Sequence, residues 1–274
     1  MTQRLNVVHT LNVVQLSAVP EPDPPVGARE RNRLERHRSY LRAALHLVFE
    51  EGLDALTMQR LAGEVGASVG SVYTYFPSKG ALVAEVQREA IERLGASALV
   101  LGGDVDRAIA SRSLADERPA VAHLAPVVAF GRFWLTAAGT YPEEMQLLML
   151  LLSDVGETVP PEEGGRVVPA ALRLLGLAEA RLTAAADAGH LADGDGWSRT
   201  IALGASLTGC VQLAVVERWD PDLLDPSATG RTVLDALLTG WGAGADDLAA
   251  AHELVDALER DTPLARPIPD GGPA

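Results

Sequence analysis

The sequence predicts an all-α protein, with a small N-terminal helix-turn-helix domain followed by a larger helical domain. Three observations carry this. The 274 residues are 47% hydrophobic but only 4% aromatic, and Leu, Ala and Val dominate, which favours helix packed on helix. Apolar residues recur at helical spacing, and no stretch alternates with period two for long enough to be a strand. Residues 57–79 read as two short helices joined by a tight turn, the layout of a reading head for duplex DNA.

Taken in order, residues 1–28 stand apart. Leu5-Asn6-Val7-Val8 is repeated as Leu11-Asn12-Val13-Val14, and Pro20, Pro22, Pro24 and Pro25 then break regular structure, so this segment is expected to be a flexible extension. The helix-turn-helix domain is placed at 29–95. In its first helix Leu41, Ala44, Leu45, Val48 and Phe49 form one apolar stripe ended by Gly52. Thr57 is the expected N-cap of a second helix, with Leu61, Ala62 and Val65 turned inward. Gly66-Ala67 makes the turn, and Ser68 caps a third helix that runs to about Tyr75. Ser78 caps a fourth, with Leu82, Val86, Ala90 and Leu94 spaced by four. The larger domain is placed at 96–261, with helices at about 118–139, 142–154, 166–190, 195–219, 228–241 and 245–260. Breaks rich in Gly, Asp or Pro are expected at 102–106, 155–165, 191–196 and 220–227. From residue 262 a loose tail is expected on its prolines and glycines.

The net charge of -14 looks wrong for a DNA-binding protein until it is divided along the chain. Residues 1–95 carry 11 basic and 11 acidic side chains, whereas residues 96–274 carry 12 against 26. All the excess acidity lies outside the reading head. Within Arg29–Arg42, six arginines (29, 31, 33, 36, 38 and 42) face only Glu30 and Glu35, a local basic patch of the kind that binds phosphates by releasing counterions. Cys210 is the single cysteine, so an intrachain disulfide and a cysteine-based zinc site are both excluded. It lies in an apolar helical stretch and reads as a buried structural thiol. His123, Arg132 and Gln212 interrupt the longest apolar stretches before they reach the ~18 residues of a membrane span. Residues 4–19 carry no cleavage site of secretory type, and a cytoplasmic protein is expected.

In a helix-turn-helix the second helix enters the major groove. Here it offers Ser68, Val69, Ser71, Tyr73, Thr74 and Tyr75, while Gly70 lets the backbone approach closely. Val72 and Phe76 are the inward anchors, so Tyr73 and Tyr75 cannot both be core. Thr57 and the tyrosine hydroxyls can donate to phosphate oxygens. Gln59 and Arg60 can reach phosphate or base, glutamine matching adenine and arginine guanine. Lys79 is the one lysine in the chain, a compact ammonium suited to a point contact with phosphate.

These residues carry a resemblance. The pattern Ala43-Ala44, Phe49, Gly52, Leu56-Thr57, Leu61-Ala62, Val65-Gly66-Ala67-Ser68-Val69-Gly70, Val72-Tyr73, Tyr75-Phe76, Ser78-Lys79 and Leu82 resembles the DNA-binding domain of the TetR family of bacterial transcription regulators. One departure is Gly80, where that family usually has an acidic residue. The resemblance implies phosphate contacts from Thr57, Tyr73, Tyr75 and Lys79. It implies base-edge contacts from Gln59, Arg60, Ser68, Val69, Ser71 and Thr74. It further implies a homodimer, a palindromic double-stranded DNA operator and a small-molecule inducer bound in the larger domain.

That larger domain has no motif of comparable specificity. Its stretches 118–139 and 142–154 are apolar nearly all round, and such helices are buried or line a cavity. A pocket is expected to draw on His123, Phe130, Phe133, Trp134, Met145, Met149 and Gln212. The expected dimer seam runs along Trp197–Trp219, with small residues Gly204, Ala205, Ser206 and Gly209, and along Arg231–Trp241, with Val233, Leu234, Leu237 and Leu238. The leading function is a repressor released by a small apolar ligand. An activator, or an architectural DNA-binding protein without a ligand, is the alternative. An enzyme or a protein-interaction module ranks well behind. No catalytic spacing, phosphate-binding glycine loop or metal-ligand pattern is present, and no cofactor is expected.

Overall fold

A computed structural model of the protein describes residues 27–153, 163–217 and 225–268. Its chain divides into two units, Met1–Arg38 and Ser39–Ala274. The described part of the first unit is the opening of helix α1 (Ala28–Glu51), where every side chain from Ala28 to Arg38 is exposed except the half-buried His37. The expected flexible extension lies almost wholly outside the described residues.

The second unit is helical throughout its described residues, apart from turns. After α1 and a single 3-10 turn at Leu53–Ala55 come α2 (Met58–Glu64), α3 (Val69–Tyr75) and α4 (Lys79–Ser111). The short α5 (Leu114–Glu117) precedes α6 (Pro119–Thr140), α7 (Pro142–Ser153), α8 (Gly164–Asp187), α9 (Gly196–Glu217), α10 (Pro226–Gly240) and α11 (Ala245–Asp261). Two apolar cores form. The smaller gathers Leu41, Ala44, Leu61, Val72, Phe76, Leu82 and Val86 from the first four helices, and α7 adds Leu147. The larger surrounds α6 and includes Leu124, Val128, Phe133, Leu182, Leu207, Leu234 and Val255. α4 belongs to both: Leu82, Val83, Val86 and Ala90 enter the first core, Ile91, Leu94, Leu101 and Val105 the second.

Three expectations change. The break at 102–106 is absent, because Gly102, Gly103 and Asp104 lie inside continuous α4. Leu101 and Val105 on either side are buried, and this packing outweighs a glycine cost of about 1 kcal/mol each. The tail is also not loose over its described part. Leu264 and Ala265 are buried, Ser97 Oγ bridges the backbone N and O of Arg266 at 3.1 and 3.0 Å, and the Arg266 guanidinium pairs with Asp104. Finally, Leu234 and Leu238 of the expected dimer seam are fully buried in the larger core.

By length and composition α6 could cross a membrane, yet it forms the centre of the larger core. Its apolar residues are covered by α4, α8, α9, α10 and α11. At Gly131 a Cβ would sit 3.0 Å from both Leu234 methyls, so glycine sets how closely α10 approaches. Arg132, on the same helix, is ion-paired to Asp256 and Glu259 of α11. Cys210 is buried, and burial pushes its thiol above the ordinary range.

The buried His252 of α11 has its Nε2 2.5 Å from Asp235 Oδ1, while Nδ1 has no partner among the described residues. Burial pushes this imidazole below its ordinary value, against the pull of Asp235. An unfolded chain therefore binds a proton at His252 at a pH where the folded one still resists it. Stability from this group is complete above about pH 6.5 and is lost as the pH falls toward the folded value. Urea midpoints measured between pH 7.5 and 5 should fall in acid, and His252→Gln should flatten that fall; an equal slope in both proteins contradicts this origin.

Candidate nucleic-acid interface

The reading head is built from hydroxyl caps. Thr57 Oγ1 accepts from Arg60 N at 3.1 Å, Ser68 Oγ from Ser71 N at 3.2 Å and Ser78 Oγ from Ala81 N at 3.0 Å. Each cap uses an oxygen lone pair, and the hydroxyl proton stays available to donate outward. The turn between α2 and α3 closes on Gly66, whose φ of +64° suits glycine. Ala67 N donates to Ala62 O at 2.8 Å and Gly66 N to Gly63 O at 3.2 Å, the paired bonds of a Schellman stop. The three expected caps and the expected turn are all in place.

On α3, Val72 and Phe76 are buried as anticipated. Tyr73 is 51% exposed and projects away from the core, with Ser68, Gly70 and Thr74 exposed beside it. Tyr75 turns the other way, its ring edge-on to Tyr40 at 5.2 Å. The Tyr40 hydroxyl also lies 2.9 Å from Ser71 Oγ. Tyr40 is thus a fully buried support beneath two of the proposed contact residues, and the sequence reasoning missed it. The signal was present: Tyr40 stands four residues before Ala44 on the same helical stripe. Thr74 Oγ1 donates to Gly70 O at 3.0 Å, and Val69 is half-buried.

Gln59 is exposed on α2. Arg60 beside it is ion-paired to Glu51 at the end of α1, so its guanidinium must exchange that carboxylate for any other anion. Lys79 Nζ donates to Leu53 O at 3.1 Å, tying the start of α4 to the turn before α2 and leaving two of its three protons for other acceptors. Around the head's outer face only Glu64 adds a negative charge between residues 57 and 79.

An open cavity of about 520 Å³ lies against the larger core, bounded by α4, α6, α7, α8 and α9. Phe130, Trp134 and Gln212 line it, as expected from the sequence. His123, Phe133, Met145 and Met149 do not. Phe133 and Met145 are packed into the core itself and Met149 lies against it. His123 faces His190 with ring centres 5.1 Å apart, its Nδ1 2.8 Å from Pro119 O. Residues that the sequence reasoning missed include Gln87 and Ile91 of α4 and Thr208 of α9, whose Oγ1 accepts from Trp134 Nε1 at 3.2 Å. Among the described residues no charged side chain lines the cavity. Neighbouring charges on α4 pair among themselves and with α8 instead: Arg88 with Glu85 and Glu92, and Glu92 with Arg173. The two carboxylates hold Arg88 above even the usual arginine range.

This is the architecture of a helix-turn-helix DNA-binding regulator. Residues 41–86 match the family described as bacterial regulatory proteins, tetR family. The chain is 34% identical over 92 residues to the nucleoid occlusion factor SlmA of Haemophilus influenzae (strain PittGG), a match covering 31% of this chain and 42% of SlmA. The match therefore spans about two fifths of that relative's length. Among solved structures, the fold is shared with a protein of unknown function from Rhodococcus sp. RHA1 (TM-score 0.54, 20% identity, 75% of this chain and 94% of that one). It is shared too with the transcriptional regulator FadR from Bacillus subtilis, solved in complex with stearoyl-CoA (TM-score 0.51, 18% identity, 74% and 98%).

The capping geometry makes a direct prediction. Thr57→Ala and Ser78→Ala should each lower stability by about 1 kcal/mol, while Tyr73→Phe should leave it unchanged, since the Tyr73 hydroxyl has no partner among the described residues. Urea unfolding checks both; a Tyr73→Phe cost as large as that of a lost cap would show that the hydroxyl is structural.

Proposed function

We propose that the protein is a homodimeric transcriptional repressor that binds a palindromic operator and leaves it when a small, uncharged, apolar ligand fills the cavity of the larger domain. One observation carries the reading: Gln87 and Ile91, which line the cavity, sit on the same unbroken helix as Leu82 and Val86, which are buried in the reading head. A ligand that displaces α4 in the cavity displaces the seat of the head. It releases DNA only insofar as it binds the displaced state more tightly.

In this reading Thr57, Tyr73, Tyr75 and Lys79 hold phosphates, and Gln59, Arg60, Ser68, Val69, Ser71 and Thr74 meet base edges. The uncharged lining among the described residues favours a ligand without charge, with Gln87 and Thr208 available to a hydroxyl or carbonyl. The dimer seam is assigned to α9, where Ile201 and Leu213 are exposed and Gly204 and Gly209 leave room for close approach. A two-fold protein requires an inverted repeat. Acidity in the larger domain keeps that domain off DNA. The protein is then a cytoplasmic regulator and not an enzyme. The likeness to SlmA favours an architectural role as the second reading, in which filling the cavity leaves DNA affinity unchanged.

Selection of binding sites from random duplexes tests the proposal. An inverted repeat should emerge, its half-sites about one helical turn, ~34 Å, or a multiple apart. Tyr73→Phe should weaken binding to every duplex by roughly tenfold, the worth of one hydrogen bond to a charged group, whereas Gln59→Ala should change the selected sequence. Selected duplexes without a repeat would contradict the dimeric operator, and an unchanged motif with Gln59→Ala would remove that residue from base reading.

A further inference from the structure

The basic opening of α1 lies ahead of the family's own domain, which starts at residue 41. Between Ala28 and Arg38 it holds five arginines and two glutamates, in a helix whose side chains are exposed apart from the half-buried His37. Burial of an apolar face does not explain this helix, since Ala28 and Leu34 are the only apolar residues in the segment and Leu34 is exposed. Its electrostatics oppose it. Arg29 and Arg33 are four residues apart and Arg33 and Arg36 three, so like charges stack on one face. They also stand at the helix end where the backbone dipole is already positive. Glu30 reaches Arg33 only at 4.0 Å, with both side chains largely exposed. Among the described residues Arg29, Arg36 and Arg38 have no ion-pair partner.

We infer that this segment is a second DNA-binding element, a sequence-independent clamp that lays Arg29, Arg33 and Arg36 against backbone phosphates of the duplex that the head engages. A duplex supplies a dense line of negative charge that relieves the repulsion within the helix. Arginine, with its forked donors, suits phosphate oxygens. A membrane surface is the poorer partner, because a helix that docks on lipid needs an apolar face to bury, and this segment has none. The inference rests on the DNA-binding reading of the head, but its contacts position the protein and read no bases.

The test uses the full chain and the triple variant Arg29→Gln/Arg33→Gln/Arg36→Gln on a random-sequence duplex, with affinity followed against salt. Three phosphate contacts at about 0.9 per phosphate predict that the slope of log K against log salt becomes shallower by roughly 2.7 in the variant. The sequence selected by the head should not change. An equal slope in both proteins overturns the clamp, as does wild-type protein whose affinity for duplex is insensitive to salt. Arginine-dependent capture by anionic phospholipid vesicles, without the change in slope on DNA, also overturns it. Failure of the reading head looks different: no duplex sequence is preferred, yet the arginine-dependent slope remains.

Discussion

The structure depends on α4 remaining a single helix. Its 33 residues supply apolar side chains to both cores, and the polar contacts on its flanks hold that register. Arg93 pairs with the buried Glu144 of α7 at 2.8 Å, and Arg181 of α8 pairs with Asp106 at 2.7 Å. Burial pushes the Glu144 carboxyl upward in pKa, against the nearby Arg93. α7 in turn reaches the head, through Leu147 in its core and Gln146, which donates to Phe49 O at 3.2 Å. α4 and α7 thus tie the larger core to the seat of α2 and α3.

The head combines local order with surface chemistry in the same atoms. Thr57 and Ser68 begin helices with an oxygen and face outward with a proton. Lys79 fastens one turn and keeps donors to spare. Tyr40 fills the space behind Ser71 and Tyr75, so α3 presents Tyr73 from a rigid base. Rigid placement matters because a hydrogen bond to a phosphate or base edge is lost within a fraction of an ångström.

Much of the head was legible because its signals are local. A cap hydroxyl, a glycine at positive φ and apolar residues spaced by three and four act within a few residues of themselves, and Thr57, Gly66, Ser68 and Ser78 fell where expected. The larger domain was legible only as a series of helices. Which face of an all-apolar helix meets a cavity and which meets a neighbour depends on partners far along the chain. Of the residues expected at a pocket, Phe130 and Trp134 line the cavity, whereas Phe133 and Met145 lie in the core. Gln87 was overlooked because a glutamine on a charged helix face carries no sign of enclosure. Gly102-Gly103-Asp104 and the prolines of the tail misled for a related reason. Local propensity favoured a break or a loose end, and long-range contacts (Leu101, Val105 and Leu264 in the core, Arg266 on Ser97) outweighed it.

Coupling between cavity and head is the central claim, and linkage tests it without knowledge of the natural ligand. N-phenyl-1-naphthylamine, an uncharged fluorophore that brightens in apolar surroundings, can be titrated into the protein with and without its selected duplex. The account predicts that DNA weakens probe binding, and that the probe weakens DNA binding by the same factor, as thermodynamic reciprocity requires. A probe that enters the cavity with one affinity whether or not DNA is bound would contradict it.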